Sequence, residues 1–182
     1  MYRLEDMEGA LKEMVSPYRF RHSIGVRETA ARIAVQSGIS IDQAKIAGLL
    51  HDCGKQDICQ DTSDQSFDCS VDDALTHAER GAQIAKLRFG VDDVEILDAI
   101  RHHTVGGAGL STLAKIIYLA DLIEPNRNFP GVDQLRAAVT LSLDQGLLLA
   151  ADQTITHLIR KGKPIHTAVI EMRNEILTKV GK

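Results

Sequence analysis

The sequence predicts an all-α fold with no significant sheet, and three observations predict it. Apolar residues recur at helical spacing in almost every segment, as in Ile24, Ala30, Ile33 and Ala34. Glycine, proline and serine punctuate those segments where helices start and stop. Period-two alternation of β-branched residues, the mark of a strand, is missing throughout. The chain has 182 residues, 44% hydrophobic and 25% charged. That is enough for one domain spanning 1–182 with a real core, and too apolar for global disorder.

Residues 23–37 read as a helix that ends at Gly38. Ser40 caps the next helix, whose apolar face is Ile41, Ala44, Ala47 and Leu49–Leu50. It runs into His51–Asp52 and breaks near Gly54. A helix over 77–89 follows and ends at Gly90. Another covers 92–103, with Val94, Leu97 and Ile100 expected to face inward. Residues 111–123 begin at Ser111 and stop before Pro125. A longer helical stretch over 132–160 carries Leu135, Val139, Leu143, Leu147 and Ile155. The last helix, 165–180, shows Val169, Ile170, Met172, Ile176 and Leu177. The exception is 56–76, a polar segment with six aspartates. It reads as a long loop: a solvated connector, or a lid over whatever site lies between His51–Asp52 and His77.

Composition excludes several function classes. A net charge of −4 gives no electrostatic case for a nucleic-acid partner. No apolar run reaches the roughly 20 residues that span a bilayer, and MYRLEDMEGALKEM lacks a secretory apolar core, so the expectation is a cytoplasmic protein without a membrane partner. Cys53, Cys59 and Cys69 form no CxxC pair, and their odd number argues against a disulfide scaffold.

The histidines point to chemistry. There are seven, in a chain with no tryptophan. His51–Asp52 stands at the end of a buried helix, where two adjacent ligands can turn toward one ion because the backbone is leaving helical geometry. A carboxylate can also bridge two ions with its two oxygens, whereas imidazole binds one. His22, His77, His102 and His103 recur at helix edges, and Asp121 interrupts the apolar run KIIYLADLIEP. A buried carboxylate is costly unless paired or metal-bound, so Asp121 demands a partner. Such a nitrogen-rich set suits iron, manganese, zinc or nickel rather than calcium. His157 and His166 have no companion ligands. Cys53 reads as a small hydrophobe under the motif.

The order H…HD…H…H…D on an all-helical chain resembles the HD-domain metal-dependent phosphohydrolases. More closely, RFRHSIGV, AKIAGLLHDCGK, HAERGA, AIRHHTVG and ADLIEPNRNFPGVDQLR resemble the YqeK-type HD hydrolases, which cleave diadenosine tetraphosphate symmetrically to two ADP. The resemblance covers residues 19–160, with a motif core over 19–127 and C-terminal helices over 132–180. It implies an HD-type helical bundle with a dinuclear centre, iron favoured and manganese or another transition metal allowed. His22, His51 and Asp121 would hold one ion and His77 and His103 the other, with Asp52 bridging. His103 rather than His102 falls on the family's Arg-x-His-Thr pattern. Arg19, Lys55 and Arg127 match the family's basic positions. Residues 56–76 match no motif.

The resemblance also implies a chemistry: a metal-bridging hydroxide attacks a phosphorus atom, and Lys55, Arg19 and Arg127 neutralise charge on the phosphate oxygens. The catalytic set is then Asp52, Lys55 and Arg127, and the substrate contacts are Arg19, Lys55, Thr104 and Arg127. Each cation also reads as a solvated surface charge, and Thr104 as a helix cap. Phe129 and Tyr118 are the aromatic candidates for stacking on a base. The expected partner is a small dinucleoside polyphosphate or nucleotide. Competing readings are another HD-type nucleotidase or nucleotide phosphodiesterase, a di-iron oxygenase, and a non-catalytic HD regulatory module.

Overall fold

The computed structural model describes residues 3–55 and 71–180. Among the described residues the regular structure is entirely α-helical. The helices are α1 (Leu4–Lys12), α2 (Pro17–Ser37), α3 (Ile41–Leu50), α4 (Val71–Phe89), α5 (Val94–His102), α6 (Thr112–Ile123), α7 (Val132–Leu141), α8 (Leu143–Arg160) and α9 (Thr167–Val180).

Helix α6 is the axis of the fold. Ile116 through Ile123 are all buried, so the helix is enclosed on every side. Helices α2, α3, α5, α7 and α8 pack against it, α4 packs on α5, α9 on α8, and α1 on α2 and α3. One apolar cluster joins them, with Leu49, Leu50, Ile100, Ile117, Leu119, Leu135 and Leu147 all fully buried. Burying a side chain of this size contributes about 1.5–3 kcal/mol, and this cluster supplies the main cohesion of the bundle.

Caps fix where the helices begin. Ser16, Ser40, Ser111 and Ser142 each accept a hydrogen bond from the backbone N–H three residues on, and Asp93 accepts from Glu95 and Ile96. Each such cap stabilises its helix by about 1 kcal/mol. Gly38 ends α2 at φ 68°, the left-handed conformation that accommodates glycine without strain.

The structure corrects four expected boundaries. Helix α2 starts at Pro17, six residues before residue 23, because Ser16 caps it and Pro17 sits at its first position. His22 therefore lies within the regular helix rather than opening it. Helix α4 starts at Val71, so 71–76 are helical and His77 sits in the second turn; residues 56–70 of the expected loop lie outside the described residues. The stretch 132–160 is two helices, because Ser142 adopts an extended conformation (φ −165°, ψ 154°) and caps α8. Helix α1 lies in a segment for which no helix is expected from the apolar pattern. Val94 is exposed, not inward: the buried face of α5 is set by Ile96, Ala99 and Ile100, and Val94 projects away from it.

One close approach positions the site. A Cβ at Gly54 would overlap the His77 carbonyl oxygen and the Gly81 backbone nitrogen. Helix α4 thus lies directly on the turn that follows His51–Asp52, which brings His77 to that turn. Gly54→Ala should therefore destabilise the protein by about 1–3 kcal/mol, the usual cost of forcing an extra carbon into a packed interior. Gly9→Ala, on an exposed helical position with open space around it, should stabilise instead. Urea denaturation of the two variants measures both.

Candidate metal centre

Five elements deliver six ligand-type side chains to one buried region. Helix α2 supplies His22, the turn after α3 supplies His51 and Asp52, α4 supplies His77, the end of α5 supplies His103, and α6 supplies Asp121. All six are buried, His51 completely. They gather as two overlapping clusters. His22 Nε2 lies 3.3 Å from His51 Nε2 and 2.9 Å from Asp121 Oδ1. His77 Nε2 lies 3.3 Å from His103 Nε2, and Asp52 Oδ1 lies 3.3 Å from His103 Nε2 and 3.6 Å from His77 Nε2. His51 Nε2 is 3.7 Å from Asp52 Oδ2, which ties the clusters together.

The far nitrogens of these rings set their orientation. His51 Nδ1 donates to the Gly48 carbonyl at 2.8 Å, and His103 Nδ1 donates to the Ile100 carbonyl at 2.7 Å. A carbonyl can only accept, so each Nδ1 carries a proton and each Nε2 is turned to the centre. Burial pushes the His51 imidazole down to about 3, which keeps it neutral. Burial also lowers His22, but hydrogen bonds to Asp121 and Glu124 outweigh it and raise the imidazole above its usual value.

Both carboxylates are ionised. Burial raises Asp52, yet Lys55, then His51 and His103, more than offset it and hold the group well below the usual carboxylate range. Asp121 is held down in the same way, by Arg127 first and then by His22 and His51. Asp52 is used asymmetrically. Its Oδ2 meets Lys55 Nζ at 3.0 Å and Arg19 Nη1 at 3.5 Å, whereas its buried Oδ1 accepts no hydrogen bond. An ionised oxygen left without a donor between two imidazoles is costly unless a cation meets it. The donor set therefore fits a divalent metal ion, and two groups, His22–His51–Asp121 and His51–Asp52–His103, each gather their ligand atoms within 4.8 Å.

The remaining candidates divide. Arg127 does not reach outward: its Nε donates to the Asp121 backbone carbonyl at 2.8 Å and its Nη2 to Asp121 Oδ1. Thr104 Oγ1 sits 3.3 Å from His103 Nε2 and 3.5 Å from His77 Nε2, at the edge of the centre. His102 stays outside it and bonds the Asp98 carbonyl of its own helix. Tyr118 is buried in the core, where its ring is not open to stack on a base. Phe129 is only partly buried against the core. Cys53 packs under the motif, with its thiol 3.4 Å from the Gly81 carbonyl.

Two residues escape sequence reasoning. Glu124 is almost fully buried and bonds His22 Nδ1 at 3.1 Å. Its signal was its place three residues after Asp121, on the same side of an apolar helix. Arg136 of α7 donates to the carbonyls of Ile123, Glu124 and Arg127, fixing the turn after α6. It closes the family-like segment ADLIEPNRNFPGVDQLR, but the residues around it do not announce this role.

Residues 19–126 match the HD domain family. A Bacillus subtilis protein named bis(5'-nucleosyl)-tetraphosphatase, symmetrical, is 36% identical over 88% of this chain and 90% of its own length. A protein of the same name from Halalkalibacterium halodurans is 34% identical over 92% of this chain and 93% of its own length. A crystal structure from Clostridium acetobutylicum, of a "predicted HD superfamily hydrolase involved in NAD metabolism", shares 37% identity and superposes with a TM-score of 0.87, covering 98% of this chain and 99% of that one.

The neighbouring histidines provide a direct test. His103→Ala should weaken metal binding by more than about tenfold, the lower bound seen for losing even an outer partner of a ligand. His102→Ala should leave it unchanged. Metal content after dialysis against a weak chelator reads the difference.

Proposed function

The chain belongs to the HD domain family, and on that premise we propose that it hydrolyses diadenosine tetraphosphate symmetrically, with one water, to two ADP. The observation that carries this reading is the pair of donor clusters, His22–His51–Asp121 and His51–Asp52–His103, which share His51 and lie beside three cations. Similarity over most of the chain to proteins named symmetrical tetraphosphatases supports the substrate.

In this reading His22, His51 and Asp121 would hold one ion and His77 and His103 a second, with Asp52 available to both. The nitrogen-rich set favours iron, with manganese the nearest alternative. When bound, the ions supply water activation near neutral pH and Lewis acidity toward phosphoryl oxygens. The chain's own groups do the rest. Lys55 and Arg19 hold Asp52 Oδ2, which leaves Oδ1 directed at His77 and His103. Lys55 keeps part of its surface exposed and neutralises charge on the polyphosphate. Arg127 holds Asp121 and contributes its charge from that side. Thr104 offers a hydroxyl to a phosphate oxygen. The leaving ADP departs as a stabilised anion, so protonation by a dedicated acid is not required.

The reading places the enzyme in the cytoplasm, acting on a small nucleotide and not on nucleic acid. Its charge of −4 supports the second point. Among the described residues no helix is long and apolar enough to cross a membrane.

Where the tetraphosphate is cut tests the reading. Grip on the middle of the chain directs attack to one of its two central phosphorus atoms. Anion-exchange chromatography of the early time course should show ADP as the sole nucleotide product. ATP with AMP, or inorganic phosphate released from a monophosphate while diadenosine tetraphosphate is untouched, contradicts it. Lys55→Ala should lower turnover by about 10²-fold, as for loss of one charged transition-state contact. Equal turnover in that variant would remove Lys55 from the chemistry.

A further inference from the structure

Glu124 belongs to no part of the proposed reaction, yet it is a carboxylate exposed by only 1%. Its two oxygens do different things. Oε1 accepts from His22 Nδ1 at 3.1 Å, while Oε2 accepts from the backbone N–H of Asn126 at 2.8 Å and from its Nδ2 at 2.9 Å. On α2, one turn beyond His22, Gly25 also lies against the Glu124 side chain. A Cβ built there would collide with Glu124 Oε2. Gly25 lies in the interior of a helix, where glycine is about 1 kcal/mol worse than alanine. Alanine would be better for the helix and worse for the carboxylate.

The geometry points to Glu124 as a positioning residue for His22, with Gly25 as the space that admits it. A histidine that donates Nδ1–H to a fixed carboxylate presents Nε2 to the centre in one tautomer and one orientation. Glu124 is itself fixed from the other side by the Asn126 turn. Arg127, the next residue, bonds Asp121 through that same turn, and Arg136 ties its carbonyls to α7. His22 and Asp121, which approach to 2.9 Å, are thus oriented by one short segment, 124–127. The inference rests on the reading that His22 binds metal.

Calorimetric titration of the metal-free protein with Mn2+ tests it without any substrate. Gly25→Ala and Glu124→Ala should each weaken binding about tenfold to hundredfold, the range for losing an outer partner of a ligating histidine. Glu124→Gln keeps an acceptor for His22 and should fall between Glu124→Ala and the parent. In a Glu124→Ala background Gly25→Ala should cost nothing further, because its Cβ then meets no carboxylate. In a His22→Ala background neither substitution should matter. A merely structural role would leave Mn2+ affinity unchanged and lower only the melting temperature of the metal-free protein. Parent-like Mn2+ affinity in Glu124→Gln and Glu124→Ala, beside a weakened His22→Ala, would overturn the positioning role alone. Parent-like affinity in His22→Ala would remove the ligand set on which it rests.

Discussion

An ionised carboxylate, Asp52, is taken almost wholly out of water at the junction of α3 and α4. Much of the centre's architecture answers the cost of that burial. Lys55 and Arg19 meet one oxygen; His77 and His103 converge on the other without a well-directed hydrogen bond. Removing a cation from such a group costs several kcal/mol. The glycine at position 54 belongs to the same constraint, since it lets α4 approach closely enough to bring His77 within reach. Packing and electrostatics are therefore coupled at this turn: the backbone contact that builds the core also assembles the donor cluster.

The second carboxylate shows the same logic from the opposite side. Asp121 projects from the most enclosed helix of the fold, where it would be untenable without Arg127 and His22. Its partner arginine comes from the turn that ends the helix. Arg136 binds three carbonyls of that segment, so the side chain that neutralises Asp121 is held by backbone contacts to α7. Second contacts of this kind fix the donor side chains in place.

Much of this was legible in the sequence, for identifiable reasons. Helix ends at Gly38, at Ser40 and at Ser111 obey local chemistry, and α3 and α6 fall where their caps and breakers place them. Asp121 stood out because a carboxylate is foreign to an apolar helix. The start of α2 was missed because apolar periodicity is weak in its first turns, although Ser16–Pro17 carried the signal. The break at Ser142 was missed because one extended residue leaves the apolar repeat almost undisturbed. Glu124 and Arg136 act through tertiary contacts. A side chain whose partners lie 102 residues away along the chain, as His22 and Glu124 do, leaves no periodic trace.

The central claim is that two sets of donors share Asp52 and together hold two ions. Anomalous diffraction from crystals of the protein loaded with iron or manganese tests it most directly. The account predicts two peaks about 3.5–4 Å apart, the usual spacing of paired catalytic metals. They should flank the Asp52 carboxylate, one beside His22, His51 and Asp121 and the other beside His77 and His103. A single peak at full occupancy, or two peaks with Asp52 bound to neither, would contradict it.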